Sequence, residues 1–349
     1  MLARWAGVGV LILAVEIVTS CGDEEYIAGP VGDPNPNEPY PLWLTTVARW
    51  FKYDQNGHNI LSFEQMPGAV TLGINPATGD IWASAEGLSI YGPDGKLRKK
   101  AELSGVGLEE PVAFDTRRAV AWVCYYPEIF RYRLAQFDFE GKLLKDIAPP
   151  EGFAKYADMA VHEGSGEAWL ISEVKLYKLN PNGEVIFERT REELGFNCEY
   201  LRSLTVDQTD GSVWLRGSKQ GLPVPYIIRV DKNGQKTQEL HGKSIACFDV
   251  GRKTGEILAF VMEGECKYAR LYDKSGELLW ESETAKSIAK GAINDYDGTA
   301  WIVYFDEPPV FKMAKINRSG EYLIRDVAIN LRKGDEFDFE VKVDPYPYK

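Results

Sequence analysis

Along most of the chain, short runs of alternating apolar and polar residues are separated by turns that end in glycine. Runs such as Tyr226-Ile227-Ile228-Arg229-Val230 and Tyr268-Ala269-Arg270-Leu271-Tyr272 have the period of two that sends successive side chains to opposite faces of a β-strand. The stretch from Ala160 to Glu188 shows a whole unit. A short apolar run leads to a tight turn ending in Gly166, then to an apolar-aromatic strand carrying Trp169. A second alternating strand (Lys175 to Leu179), an Asn-Gly turn at Asn182-Gly183 and a last strand follow. Helical periodicity is nearly absent. Only the segments near Arg189 to Leu194 and Thr284 to Ala289 are expected to form one or two helical turns.

The unit recurs. Trp43, Trp82, Trp122, Trp169, Trp214, Leu258 and Trp301 occupy equivalent places, 39 to 47 residues apart. Five of the seven follow a turn glycine, at Gly79, Gly166, Gly211, Gly255 and Gly298. In the third unit Arg117-Arg118 stands in place of that turn, and Trp43 has none before it. A parallel series, Gly57, Gly95, Gly141, Gly183, Gly234, Gly276 and Gly320, closes a second hairpin in each unit, where the last turn position needs a positive φ. Three residues earlier stands Asp54, Asp138, Asn180, Asp231, Asp273 or Asn317, with Gly92 the exception. Such a short acceptor bonds the N–H groups of its own turn.

Four strands in about 44 residues make one blade of a β-propeller, and residues 42–349 hold seven such lengths. The ends fit closure. Trp43 to Phe63 has the last three strands of a blade but no first, and Phe337 to Asp344 (FDFEVKVD) is a spare first strand. The expected fold is all-β: a seven-bladed β-propeller closed by pairing of the C-terminal strand with the N-terminal partial blade.

Ahead of this domain, residues 1–21 read as a secretory signal, with Arg4 as the charged end and Ala6 to Val15 as the apolar stretch. That stretch is too short to span a bilayer core of ~30 Å. The ending Val18-Thr19-Ser20-Cys21 resembles a bacterial lipobox. The resemblance implies cleavage before Cys21, lipid attachment to its sulfur and a place in the bacterial cell envelope. Gly22 after Cys21, where Asp would signal inner-membrane retention, implies the outer membrane in a diderm host. Residues 22–41, rich in Pro, Gly and acid, read as a semi-extended tether. Of the remaining cysteines, Cys124, Cys198, Cys247 and Cys266, none has zinc or haem spacing. One disulfide among the last three and buried single thiols are both open. A net charge of −12 argues against nucleic acid as a partner.

The pattern of an apolar residue, Asp, a turn Gly, Trp and then Asp-x-x-Gly, seen in AVHEGSGEAWL…YKLNPNGEV, LTVDQTDGSVWLRG…IRVDKNGQ and AINDYDGTAWIVY…KINRSGEY, resembles NHL-type repeats. Similar blades occur in streptogramin-lyase-like and gluconolactonase-like propellers. The first group implies His and Glu with a magnesium ion at the channel; this chain offers only His58, His162 and His241. The second implies a divalent cation on Glu, Asn and Asp at the channel mouth, for which Asp115, Asp207, Asp249, Asn294 and Asp344 stand at or near first-strand ends. Turn capping accounts for most of the same residues. No GxSxG, P-loop, GxGxxG or HExxH motif is present.

Exposed aromatics on loops of a rigid scaffold mark recognition. They define a candidate binding face of Tyr125, Tyr126, Phe130, Tyr132, Phe196, Tyr200, Glu263, Glu265, Phe305, Asp306 and Glu307, joined by the loop from Lys219 to Tyr226. The other reading is that these aromatics cap neighbouring blades. The expected function is a lipid-anchored binding or scaffold module for an envelope protein or other envelope ligand, touching the membrane only through its anchor and needing no cofactor. The alternative is a lyase or lactonase using a Ca or Mg ion in the channel.

Overall fold

The computed structural model describes residues 27–28, 41–46, 49–64, 70–84, 87–101, 103, 107–128, 131–151, 153, 156–220, 222–242, 244–263, 266–284, 287–295, 297–305, 311–329 and 339–343. They form seven antiparallel sheets, one per repeat, arranged as a seven-bladed β-propeller. With strands lettered a to d outward from the axis, blade 1 is 70–74, 81–84, 88–91 and 97–100. Blade 2 is 107–115, 120–128, 131–138 and 143–147, and blade 3 is 156–162, 167–172, 175–179 and 185–190. Blade 4 is 200–206, 213–219, 222–230 and 236–241, and blade 5 is 245–250, 257–263, 266–272 and 278–284. Blade 6 is 287–294, 299–305, 311–316 and 322–329.

Blade 7 takes its a strand from the C-terminal part, 339–343, and its b to d strands from 42–46, 49–53 and 59–64. The seam is an antiparallel ladder in which Leu42 faces Val343 and Thr46 faces Phe339. This is the closure that the spare strand in the sequence predicts. Two details differ from expectation. Within the segment read as a tether, Ile27 and Ala28 pair in parallel with Ile324 and Arg325, adding a fifth strand to the outer edge of blade 6. Thr284 and Ser287 lie in strands, not in helical turns, whereas residues 191–195 do form a turn, with Leu194 N–H bonded to Thr190 O at 3.1 Å.

The core is not one mass but seven clusters, each shared by two adjacent blades. One joins Trp169, Ile171 and Leu176 of blade 3 to Leu204, Leu215 and Ile228 of blade 4. Another joins Trp301 and Met313 of blade 6 to Leu44 and Phe51 of blade 7, and a third carries Trp43 and Trp50 across to Ile81 and Tyr91 of blade 1. The six blade tryptophans are at most 1% exposed. Among the described residues the indole N–H groups of Trp82, Trp169, Trp214 and Trp301 meet no acceptor, so these rings are held by volume and contact area rather than by their polar tips.

A second repeated device lies directly across the sheet from the tryptophan. Lys52, Lys178, Arg229 and Lys315 on c strands face Trp43, Trp169, Trp214 and Trp301 in register and lie over their rings at 5.2–5.8 Å. Three of these cations end on a carboxylate of the a–b turn. Lys178 meets Glu167 at 2.9 Å, Arg229 meets Asp207 and Asp210 at 2.8 and 2.7 Å, and Lys315 meets Asp297 at 2.9 Å. Lys178 and Lys315 are nearly buried, so the aromatic face and the acid replace the water that their charge would otherwise require.

The c–d glycines serve two ends. Their φ values lie between +75 and +90°, and at Gly57, Gly183, Gly234, Gly276 and Gly320 a side chain of the preceding blade's outer strand rests on them. A Cβ at Gly183 would come within 2.6 Å of Ile147 of blade 2, and one at Gly234 within 2.8 Å of Phe187 of blade 3. Before each c–d turn the expected Asx bonds form, as where Asp231 Oδ1 accepts from Asn233 N–H and Gln235 N–H at 2.9 and 2.8 Å.

The a–b turns place glycine at φ between +70 and +77° in five blades. In blade 2, where the sequence offers Arg117-Arg118, the turn keeps the same shape and Ala119 takes the glycine's place at φ +54°. A left-handed alanine costs roughly 1–2 kcal/mol, part of which glycine would lose again to the entropy of the unfolded chain. Ala119→Gly is therefore expected to stabilise the protein by about 0.5–1 kcal/mol, read as a higher urea midpoint at unchanged slope.

Electrostatics of the same turns gives a pH dependence. Burial pushes the Asp210 carboxyl up, but bonds from Ser212 and the charges of Lys274 and Arg229 outweigh it and leave it lowered from 3.8 to about 2. A carboxyl lowered on folding stabilises above its unfolded pKa, and that contribution is lost as pH falls through the folded one. Its side chain is 42% exposed, so screening by solvent holds the term to about 1 kcal/mol. Unfolding midpoints should drop between pH 4 and about 2 in the parent protein, and Asp210→Asn should flatten that drop.

Candidate functional site

Because strands alternate in direction, the a–b and c–d turns lie on one face of the ring, and the b–c hairpins and inter-blade connectors lie on the other. The turn face is knitted together around the axis. Arg118 bonds Asp115 at 3.0 Å and reaches Glu163 O of the next blade at 3.3 Å. Gln208 accepts from Glu163 N–H at 2.9 Å and donates to Val161 O at 2.6 Å, and Asp295 accepts from Lys253 N–H at 3.1 Å.

At the axial mouth on this face lies a cavity of about 160 Å³, lined by Glu163, Gly164, Gln208, Arg252, Asp295, Arg117 and Lys253. All stand one to three places after the residue that ends an a strand, where the blades differ from one another. Glu163, 6% exposed, pairs with Arg252 from two blades away, so this pair spans blade 4 across the mouth. Burial raises the Asp295 carboxyl above its ordinary range, against backbone bonds from Lys253 and Arg252 and the charges of both side chains.

The carboxylates considered for a channel cation are spoken for. Asp115 caps its turn and holds Arg118. Asp207 caps Thr209 and meets Arg229 and Lys274, Asp249 accepts from Ile293 N–H of the next blade at 2.9 Å, and Asn294 donates to Gln55 at 2.9 Å. Asp344 lies outside the described residues. Among the described residues no three His, Cys, Asp or Glu side chains converge on a point that would hold a metal ion. The described donors therefore do not fit the divalent site implied by the resemblance. The histidines have local partners: His58 sits 3.1 Å from Asp54, His162 2.9 Å from Ser165 Oγ, and His241 3.0 Å from Glu239.

On the hairpin face the expected aromatics divide. Tyr125 is 6% exposed and donates to Asp146 at 2.8 Å, a bond repeated by Tyr304 and Asp326 at 2.9 Å in blade 6. Phe196 is 2% exposed, folded by the 191–195 turn into the cluster between blades 3 and 4, with its ring 5.3 Å from that of Tyr226. Both are packing residues, not surface groups; the sequence shows their loop position but not the fold-back that buries them. Tyr126 and Tyr132 are half-buried and pack edge to face, and Tyr132 continues onto Phe153. Tyr200 remains exposed at 37%, with the Arg202 guanidinium 4.9 Å from its ring. Glu263 and Phe305 end b strands, while Cys21, Phe130, Glu265, Asp306 and Glu307 lie outside the described residues.

Beside Tyr200 stands the b–c hairpin of blade 4, whose tip is tied down. Gln220, at φ +53°, donates its N–H to Glu199 at 2.8 Å, and Lys219 Nζ reaches Asn197 Oδ1 at 3.2 Å. Glu199 N–H bonds Ser218 O at 2.8 Å, and Asn197 N–H bonds the Tyr226 hydroxyl at 3.0 Å. Next to these tied residues Leu222 is 68% exposed. Cys198 beneath it is a free thiol raised to about 11 by burial, with the Arg191 charge opposing. The disulfide left open by the sequence does not join Cys198 to Cys247.

No family model matches the chain, and no curated protein matches it in sequence. Among solved structures it is similar to hydrazine synthase from Kuenenia stuttgartiensis, at 11% identity and a TM-score of 0.47 over 64% of this chain and 67% of that one. It is also similar to a protein of unknown function from Bacteroides caccae, at 11% identity and a TM-score of 0.45 over 87% of this chain and 99% of that one. These likenesses concern the fold alone.

The pair across the mouth makes a stability prediction. Arg252→Gln removes one cation from the buried Glu163 carboxylate and is expected to cost about 2–3 kcal/mol in chemical denaturation, at the low end for a pair that solvent partly reaches. Adding Glu163→Gln should restore part of that loss, since the buried charge is then gone.

Proposed function

We propose that this chain is a binding module of the bacterial cell envelope, held there by lipid on Cys21 and recognising an envelope protein or other envelope ligand through its hairpin face. The observation that carries the reading is the tied hairpin of blade 4. It displays the bare apolar side chain of Leu222 at the same end of blade 4 as the exposed ring of Tyr200, whose strand neighbour is Ser218. Ordering costs are already met in such a surface, so contact area converts to affinity more fully than on a mobile loop. Exposed aromatics flanked by arginine are the residue types that anchor partners. The Val-Thr-Ser-Cys ending ahead of Gly22 supports the anchor, and the outer membrane follows if the host has one.

Two measurements test the reading. Cys21→Ser in full-length protein expressed in a bacterial host should move the folded domain from the membrane pellet to the soluble fraction. Leu222→Asp combined with Tyr200→Ala should leave the unfolding midpoint within about 0.5 kcal/mol of the parent, because both side chains are exposed. The same pair should remove crosslinked complexes that the parent forms in intact cells. A membrane-bound Cys21→Ser protein, or an unchanged crosslinking pattern, would contradict the anchor or the recognition surface respectively.

A further inference from the structure

The turn face pairs its cations with acids almost everywhere. Arg98 lies 2.6 Å from Asp80, Arg118 3.0 Å from Asp115, Lys178 2.9 Å from Glu167 and Lys315 2.9 Å from Asp297, and Arg318 meets Glu256. In a chain of net charge −12 there are more than enough carboxylates for this. The wall of the axial cavity departs from that rule. Arg117 and Lys253 both line it and are exposed, and among the described residues neither guanidinium nor ammonium makes a hydrogen bond or ion pair. The carboxylate of Glu163 is engaged by Arg252, and both oxygen and amide ends of Gln208 are bonded to backbone groups.

From this arrangement we propose that the axial mouth binds a small oxyanion, the phosphate or carboxylate group of a small molecule, between Arg117 and Lys253. Three cationic side chains against two carboxylates leave the cavity electropositive within an acidic protein, and the walls of a cleft concentrate that field. Arg117 supplies a planar fork matched to two oxygens, and Lys253 supplies a compact charge with three donors. They come from blades 2 and 5, so the ligand would bridge a part of the ring that the Glu163–Arg252 pair already spans. A cavity of about 160 Å³ suits inorganic phosphate or a short carboxylate. The site lies on the opposite face from Leu222 and Tyr200, so it stands or falls independently of recognition there.

The test is calorimetric titration of the purified full chain at low salt with two probes, inorganic phosphate and succinate, with sodium chloride at matched ionic strength as the reference. A single saturable site for at least one probe, absent with chloride, is the expected result. Phosphate alone, succinate alone or both then tells which oxyanion the mouth prefers. Arg117→Ala with Lys253→Ala should weaken that site by about tenfold or more, the loss expected when charge-assisted bonds are removed. Arg117→Lys with Lys253→Arg should restore most of it, which separates charge from any change in folding. Absence of a saturable site for both probes, or binding that the alanine pair leaves unchanged, overturns the proposal.

Discussion

Each blade of this protein is a small sheet that is apolar on both faces, and a sheet of that kind is stable only between two neighbours. Everything else in the structure follows from that requirement. Trp169 and Leu170 are adjacent in sequence and point to opposite sides, one into the cluster shared with blade 4 and the other into the cluster shared with blade 2. An open row would leave two apolar faces in water. A ring leaves none, provided that the chain ends meet. The ladder between Leu42–Thr46 and Phe339–Val343 is that meeting point, and the clusters on either side of blade 7 are built from the same residue types as the rest. The burden on the seam is therefore the burden of two inter-blade cores, well beyond its own hydrogen bonds.

Blade stacking also decides which residues must repeat. A bare c–d glycine is needed because its own φ is left-handed and because an outer-strand side chain of the preceding blade rests on it; Gly183 under Ile147 shows both. The tryptophan recurs for its volume. Its cross-strand cation and the turn carboxylate recur for a different reason: they fix the a–b turn to the c strand while keeping a nearly buried lysine charge matched. Where Ile90 or Leu271 stands opposite the Trp position, an apolar side chain simply extends the inter-blade core.

This division explains how much could be read in advance. Spacing of tryptophan and glycine specified blade number, strand order and closure, because those features depend on residues that every blade must share. The turn of blade 2 was readable only in part: Arg117-Arg118 hid an Ala119 that takes the glycine conformation, since the repeat imposes the shape even without the residue that suits it. The hairpin face was less legible still. Loop position alone made Phe196 and Tyr125 look exposed, and only the fold-back at 191–195 and the bond to Asp146 show them buried. Tyr200 could be told from Phe196 in no other way, for both are aromatics in the same connector.

The residues of the axial mouth went unnoticed for the converse reason. Arg117, Glu163, Gln208, Arg252 and Asp295 share a place in the repeat, just beyond an a strand, but share no chemistry, so a search for what recurs passes over them. Their place is nonetheless constrained by geometry. The turn needs its first residue as a cap and its fifth for the left-handed bend, and its fourth can hold the c-strand cation, as Asp210 and Asp297 do, while the two positions after the cap are released from these duties and line the axial opening. Ring symmetry then brings those released positions from several blades to a single opening, where each can differ without disturbing a core. A fold that commits most of its sequence to mutual packing can vary its chemistry most cheaply at such a convergence. At this opening one charge pair closes on itself, Glu163 with Arg252, while Arg117 and Lys253 keep their charges toward the cavity. Packing alone does not require that asymmetry, since among the described residues neither guanidinium nor ammonium is hydrogen-bonded or ion-paired.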